Sequence, residues 1–219
     1  MKTQILPAFD TEAFAHAVRL LRARKVIAFP TDTVYGVGAL GFDERAIEQL
    51  FVVKTRDRGK AIPYLLSDVE QLPLVAHAIP DAARLLAAKF WPGGLTLVVP
   101  AAARVPQILI AGGTGVAARV PNNRTTRALI DALGVPLAAT SANISGGPDP
   151  ANARAVLAQL NGRIPLILDG GPTRSNTPST VVDVTTDPPT IRRVGVIAAE
   201  EIERVLGKSI RRLGNQATG

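Results

Sequence analysis

The sequence predicts one α/β domain built on a mixed sheet, and three observations carry that prediction. Segments of helical periodicity alternate with short β-rich runs along the chain. Apolar residues make up 47% of the 219, enough for a sizeable core, while aromatics are only 4%, so that core must be built from Ala, Val, Leu and Ile. No internal repeat and no interdomain linker divides the chain, and its 19 glycines and 17 prolines follow no period, which excludes collagen-like and low-complexity classes.

Residues 11–23 place Phe14, Val18 and Leu21 on one stripe behind an Asp10/Thr11 cap, and predict a helix. Val26-Ile27-Ala28-Phe29 is a buried-strand run that ends at Pro30. Asp43 opens a second helix, with Ile47, Leu50 and Phe51 inward and Glu44, Arg45 and Glu48 outward. A strand follows at Pro63–Leu66 and a helix at 81–90, stopped before Pro92. Leu95–Val99 and Val116–Val120 are predicted strands, and 124–133 a helix ended by Gly134. After a short strand at Leu137–Ala139, Asp149-Pro150 offers an acidic cap and a first-turn proline for a helix to Leu160. Leu166–Leu168, Thr180–Val184 and Thr190–Val194 complete the strands, and 198–206 is the last helix. The stretches 30–41, 100–115, 140–150 and 169–179 are read as long connections, the kind that commonly carry function.

Composition narrows the chemistry. The absence of cysteine excludes disulfides, thiolate metal sites and a thiol nucleophile. His16 and His77 lie too far apart for a histidine zinc motif. No apolar run approaches the ~20 residues of a membrane span, and Pro7, Asp10 and Glu12 interrupt any signal-peptide stretch after Lys2. The expectation is a soluble cytoplasmic protein with no membrane partner. The net charge is +7, and residues 208–219 hold Lys208, Arg211 and Arg212 with no acid. Residues 1–207 are therefore read as one domain and 208–219 as a basic tail, either a solvated end or a contact for anionic partners such as nucleotides or RNA.

Three stretches concentrate polar chemistry. Pro30-Thr31-Asp32-Thr33-Val34-Tyr35-Gly36-Val37-Gly38 follows a strand, so its hydroxyls and carboxylate could hold a polar ligand or simply close an Asx/ST turn. Lys54-Thr55-Arg56-Asp57-Arg58-Gly59-Lys60 carries four cations against one acid, suited to a polyphosphate, although such a run at a helix end is more often a solvated basic loop. Thr140-Ser141-Ala142-Asn143-Ile144-Ser145-Gly146-Gly147 alternates small polar side chains, so Ser141 and Asn143 could offer a hydroxyl and an amide to one phosphate or metal-bound water, or form a plain turn. Arg119, Ser179-Thr180 and Arg192-Arg193 are weaker signals at strand ends, and Ser141 has no His/Asp partners that would suggest a hydrolase triad.

Taken together, PTDTVYGVG (30–38), KTR (54–56) with Lys60, WPGGLTLVV (91–99), VAARVP (116–121), TSANISG (140–146), STVVDV (179–184) and IRRVG (191–195) closely resemble, in order, the YrdC-like threonylcarbamoyl-AMP synthases. The resemblance implies a twisted mixed sheet flanked by helices around a deep, positively charged concave cavity, and it is to the short, single-domain type. It also implies a nucleotidyltransferase that makes threonylcarbamoyl-AMP and pyrophosphate from L-threonine, bicarbonate and ATP for tRNA threonylcarbamoyladenosine. Mg²⁺ would be held mainly by the ATP phosphates, with no side-chain metal site. The implied catalytic set is Lys54, Arg56, Ser141 and Asn143. Arg56, Lys60, Gly115, Ser141, Asp149 and Arg193 would bind ATP, and Thr33, Leu65, Arg119, Ala139 and Ser179 would bind threonine. Weak tRNA binding and downstream tRNA threonylcarbamoyl-transfer proteins complete the implied partners. Leu65 stands where some members carry histidine, Gly115 where some have a hydroxyl residue, and Gly94 where proline is frequent. A non-catalytic RNA-binding module and a nucleotide-binding paralogue are the rival readings. Pyrophosphate release that requires threonine and bicarbonate together separates both from a synthase.

Overall fold

The computed structural model describes residues 2–213. Among them, eleven strands form one mixed sheet, in agreement with the predicted α/β class. In chain order the elements are β1 (Gln4–Pro7), α1 (Thr11–Arg22), β2 (Ile27–Phe29), β3 (Gly36–Leu40), α2 (Glu44–Lys54), β4 (Tyr64–Leu65) and, after a 3₁₀ turn at Val69–Gln71, α3 (Leu72–Val75). There follow α4 (Asp81–Phe90), β5 (Leu95–Pro100), β6 (Gly115–Arg119), α5 (Arg124–Leu133), β7 (Leu137–Ser141) and α6 (Ala153–Leu160). β8 (Leu166–Asp169), β9 (Thr180–Asp183), β10 (Thr190–Arg193), α7 (Ala199–Leu206) and β11 (Arg211–Arg212) complete the chain. The spatial order is β1-β8-β2-β3-β7-β4-β6-β5-β9-β10-β11.

Strand periodicity sorts the core into two layers. Ile27, Phe29, Leu137, Leu166 and Leu168 turn to one face, where Ala13, Ala17 and Leu21 of α1 and Leu129 and Ile130 of α5 cover them. Ala28, Ala138, Ile167, Leu97, Ala118 and Val182 turn to the other, against α2, α4, α6 and α7. Helices α1 and α5 reach only part of the first face. Over β5, β6 and β9 that face stays open, and the candidate site lies there.

Local rules account for the helix ends. The Asp10 carboxylate accepts from Ala13 N at 2.7 Å, Asp43 accepts from Ala46 N at 3.1 Å, and Gly134 closes α5 in the left-handed region at φ 71°. Two expectations need correction. Helix α6 starts at Ala153, not behind Asp149-Pro150: Asn152 caps it by accepting from Ala155 N at 2.9 Å, while Pro150 O accepts from Tyr35 N at 2.8 Å and is held out of the helix. The 30–41 stretch is not all connection, because Gly36–Leu40 pairs antiparallel with both β2 and β7. Of the basic stretch 208–219, Ile210 is buried and Arg211–Arg212 pair in parallel with β10, and residues 214–219 lie outside the described residues.

Candidate active site

Above the open face lies a cavity of about 640 Å³, within the range of small-molecule sites. Its floor follows the period of two. Thr96 and Val98 of β5, Gly115, Ala117 and Arg119 of β6, and Val181 of β9 all face it, while the residues between them enter the core. Thr31 and Thr33 to Gly36, Ile110 with Gly113-Thr114, Ala139 to Ser141 and Pro178-Ser179 form its walls. Arg56, Arg119, Arg192 and Arg193 line it, against the carboxylate of Asp149.

Ten of the thirteen residues singled out from the sequence line this cavity: Thr33, Arg56, Leu65, Gly115, Arg119, Ala139, Ser141, Asp149, Ser179 and Arg193. Lys54, Lys60 and Asn143 do not. Lys60 is exposed on the surface, and its carbonyl accepts from Arg56 Nε at 3.1 Å. Arg56 Nη2 also donates to Ala61 O at 2.8 Å, so this guanidinium fixes the loop after α2 while it faces the cavity.

Lys54 is fully buried at the end of α2. Its ammonium donates to Ser141 O, to Asn143 O at 2.7 Å and to Asn143 Oδ1 at 2.9 Å. Those three acceptors match the three hydrogens of a charged lysine. Burial, and then the Arg56 charge, act the other way and pull its pKa down to about 7. Asn143 Oδ1 also accepts from Ser141 Oγ at 2.7 Å, and Asn143 Nδ2 donates to Gly147 O. Lys54 and Asn143 thus stand behind Ser141 and hold it. With its hydrogen committed to Asn143, Ser141 Oγ presents acceptor lone pairs to the cavity.

Arg119 is buried, and three of its nitrogens are engaged. Nε donates to Gly93 O at 2.8 Å, Nη1 to Thr33 Oγ1 at 2.8 Å and Nη2 to Asp32 Oδ1 at 2.5 Å. A guanidinium has five N–H donors, so two remain for a ligand. Burial lowers its pKa, and Asp32 opposes that shift. Thr31 Oγ1 donates to Val34 O at 2.6 Å and lies 3.1 Å from Thr33 Oγ1, which fixes the Thr33 hydroxyl beside Arg119.

Across the floor, Arg193 donates to Ser179 O from Nε at 3.1 Å and from Nη2 at 2.9 Å, and Ser179 Oγ lies 2.8 Å from Thr96 Oγ1. A register shift between Ile191 and Arg193 against β9 inserts one residue, so consecutive arginines both reach the cavity. Buried Asp183 accepts from Arg192 Nε at 2.8 Å. Sequence reasoning did not place Thr96, Thr114 or Thr185 at the site, and it marked Thr31, Asp32 and Arg192 only as members of the 30–38 stretch and of the Arg192-Arg193 strand end. The alternation of Thr96 and Val98 with Leu95, Leu97 and Val99 was the available signal for Thr96; the bulge leaves no period-two signal that turns Arg192 inward beside Arg193.

Residues 19–195 match a family model described as telomere recombination, the Sua5/YciO/YrdC domain. The chain belongs to the Sua5/YciO/YrdC family. It is similar to the threonylcarbamoyl-AMP synthase of Pyrococcus abyssi, with 43% identity over 192 residues, 88% of this chain and 56% of that protein. It is also similar to the threonylcarbamoyl-AMP synthase of Klebsiella pneumoniae, with 35% identity over 178 residues, 80% of this chain and 93% of that protein. A crystal structure of P. abyssi Sua5 complexed with L-threonine superposes with a TM-score of 0.93 at 40% identity, over 96% of this chain and 63% of that one. The chain thus spans somewhat over half the length of the longer family members it matches. No helix among the described residues is long and apolar enough to cross a membrane.

Proposed function

We propose that this chain is an L-threonylcarbamoyladenylate synthase, a nucleotidyltransferase that joins L-threonine, bicarbonate and ATP into threonylcarbamoyl-AMP, pyrophosphate and water. The observation that carries the proposal is one cavity combining a buried arginine with two spare donors and further arginines against one carboxylate. The family relatives named for this activity, and the one bound to L-threonine, support it.

The reaction sets two demands. The threonine amine attacks the bicarbonate carbon, water leaves, and the resulting carbamate needs a site that excludes water. A carbamate oxygen then attacks the α-phosphorus, and the bond to pyrophosphate breaks. Both partners are anions, so their charges must be offset before they meet. The two free Arg119 donors would take the threonine carboxylate, with Thr33 and Ser179 near its polar groups and Leu65 and Ala139 against its methyl. Arg56 and Arg193 would face the triphosphate, and Gly115 lets the nucleotide approach the β6 backbone. Lys54 and Asn143 would act through Ser141 as positioning residues, and Lys60 would add surface charge only. Ser141 Oγ has no base to take its hydrogen, so no covalent enzyme intermediate is invoked.

Among the described residues, no group of three or more His, Cys, Asp or Glu could hold a metal ion. Mg²⁺ would be carried by ATP phosphate oxygens, and the acceptor lone pairs of Ser141 suit one of its waters. When bound, the ion would offset phosphate charge in the transition state.

The product would serve tRNA threonylcarbamoyladenosine formation through downstream transfer proteins. The test is pyrophosphate release with substrates omitted one at a time. Release that needs ATP, threonine and bicarbonate together is expected; release with ATP alone would sink the proposal.

A further inference from the structure

A second cavity, of about 340 Å³, lies away from the first and shares no lining residue with it. Arg24 and Lys25 after α1 line it, with Arg45, Gln49 and Val53 on one stripe of α2 and Arg163 before β8. Arg24 is offset by Asp43 at 2.5 Å, and the neighbouring Glu48 is taken by Arg58. Among the described residues, Lys25, Arg45 and Arg163 pair with no carboxylate within 4 Å. Arg163 Nη1 donates to Val53 O at 3.2 Å and Thr55 Oγ1 at 3.1 Å, which anchors its guanidinium on the α2 wall and leaves its Nε and Nη2 donors for a ligand.

Cations after a helix C-terminus answer the helix dipole, and that accounts for Arg24 and Lys25 alone. It does not account for Arg45 in the first turn of α2, where the dipole disfavours a cation, nor for Arg163 on a third element. Three cations without a carboxylate partner among the described residues thus line one cleft, and an anion there would offset their charge. Two guanidinium forks and one ammonium match the tetrahedral oxygens of a phosphate.

We infer that this cleft is a phosphate-binding site separate from the active-site cavity, taking a phosphate that is either free or part of an RNA backbone. The double variant Lys25→Gln/Arg45→Gln tests it, since both side chains are exposed and make no ion pair that folding needs. The control is Arg84→Gln/Lys89→Gln on α4, which carries the same charge change on another element. Two probes are used: a fluorescein-labelled 12-nucleotide single-stranded RNA read by anisotropy, and inorganic phosphate read by backbone amide shifts of residues 23–26 and 45–53.

If the cleft holds a strand, the double variant binds RNA more weakly, and the slope of log affinity against log salt falls by up to about 0.7, the share of the one phosphate that loses its cations. If it holds free phosphate, RNA binding matches the control, while phosphate shifts those amides in the unsubstituted protein and not in the double variant. If neither probe separates the double variant from the control, the inference is overturned. Threonine- and bicarbonate-dependent pyrophosphate release should be unchanged in the double variant, so failure here and failure of the proposed synthase activity are read independently.

Discussion

The Lys54 ammonium donates to Asn143 Oδ1 at 2.9 Å, and the same oxygen accepts from Ser141 Oγ at 2.7 Å, so one amide joins a buried charge to the residue that faces the cavity. The cation at 54 therefore supports the 141–147 loop.

Lys54→Met should remove the donor from Ser141 O, Asn143 O and Asn143 Oδ1 together. Each buried acceptor left without a partner costs about 1–3 kcal/mol. Thermal unfolding should show a clear loss of stability, and pyrophosphate release should fall strongly. Unchanged stability would mean that the ammonium does not hold this loop.

The lowered Lys54 pKa fixes a sign for stability against pH. Between about 7 and the ordinary lysine value of 10.5 the unfolded chain holds a proton that the folded chain sheds. Folding is then favoured increasingly as pH rises through that window. Measured relative to Lys54→Met, which removes the titrating group, the stability of the unsubstituted protein should increase from pH 7 to 10. A difference that stays flat, or that decreases, would contradict the downward shift.

Arg119→Lys keeps a charge beside Asp32 but loses the fork. Arg119→Ala would leave the largely enclosed Asp32 carboxylate without its cation, which confounds binding with folding. Charge-assisted hydrogen bonds are worth roughly 1.5–3 kcal/mol, or about 10- to 150-fold. Calorimetry should show threonine binding weakened within that range in Arg119→Lys and ATP binding little altered. Loss confined to ATP would move Arg119 to the nucleotide.

Gly195→Ala should damage the site from outside it. A Cβ at Gly195 would lie 2.2 Å from Pro178 O and 2.5 Å from Ser179 C, both backbone atoms that cannot swing away. The expected cost is about 1–3 kcal/mol, with weaker ligand binding as Ser179 and its Arg193 contact shift. A variant with unchanged melting and binding would refute this packing argument.

Much of the fold was legible because periodicity and caps agree. Helices α4 and α5 have the predicted bounds, 81–90 and 124–133. Strand β3 was not, since Gly36 and Gly38 weaken a strand pattern. Their reason lies in the fold: a Cβ at Gly38 would meet Ala138 O at 2.8 Å, and one at Gly36 would meet the Phe29 ring at 2.8 Å. At the site, motif order located the residues but could not show which way each points. Lys54, Arg56 and Lys60 look alike as a charge run, yet they end up in the core, at the cavity and on the surface. Helix phase and the burial at the end of α2 decide that, and both depend on strands distant in sequence.

The most direct test of the central claim is mass analysis of the adenylate formed with ¹³C-labelled bicarbonate, L-threonine and ATP. The account predicts a threonine-containing adenylate that is one mass unit heavier than with unlabelled bicarbonate and forms together with pyrophosphate. An adenylate without the label, or AMP alone, would contradict it.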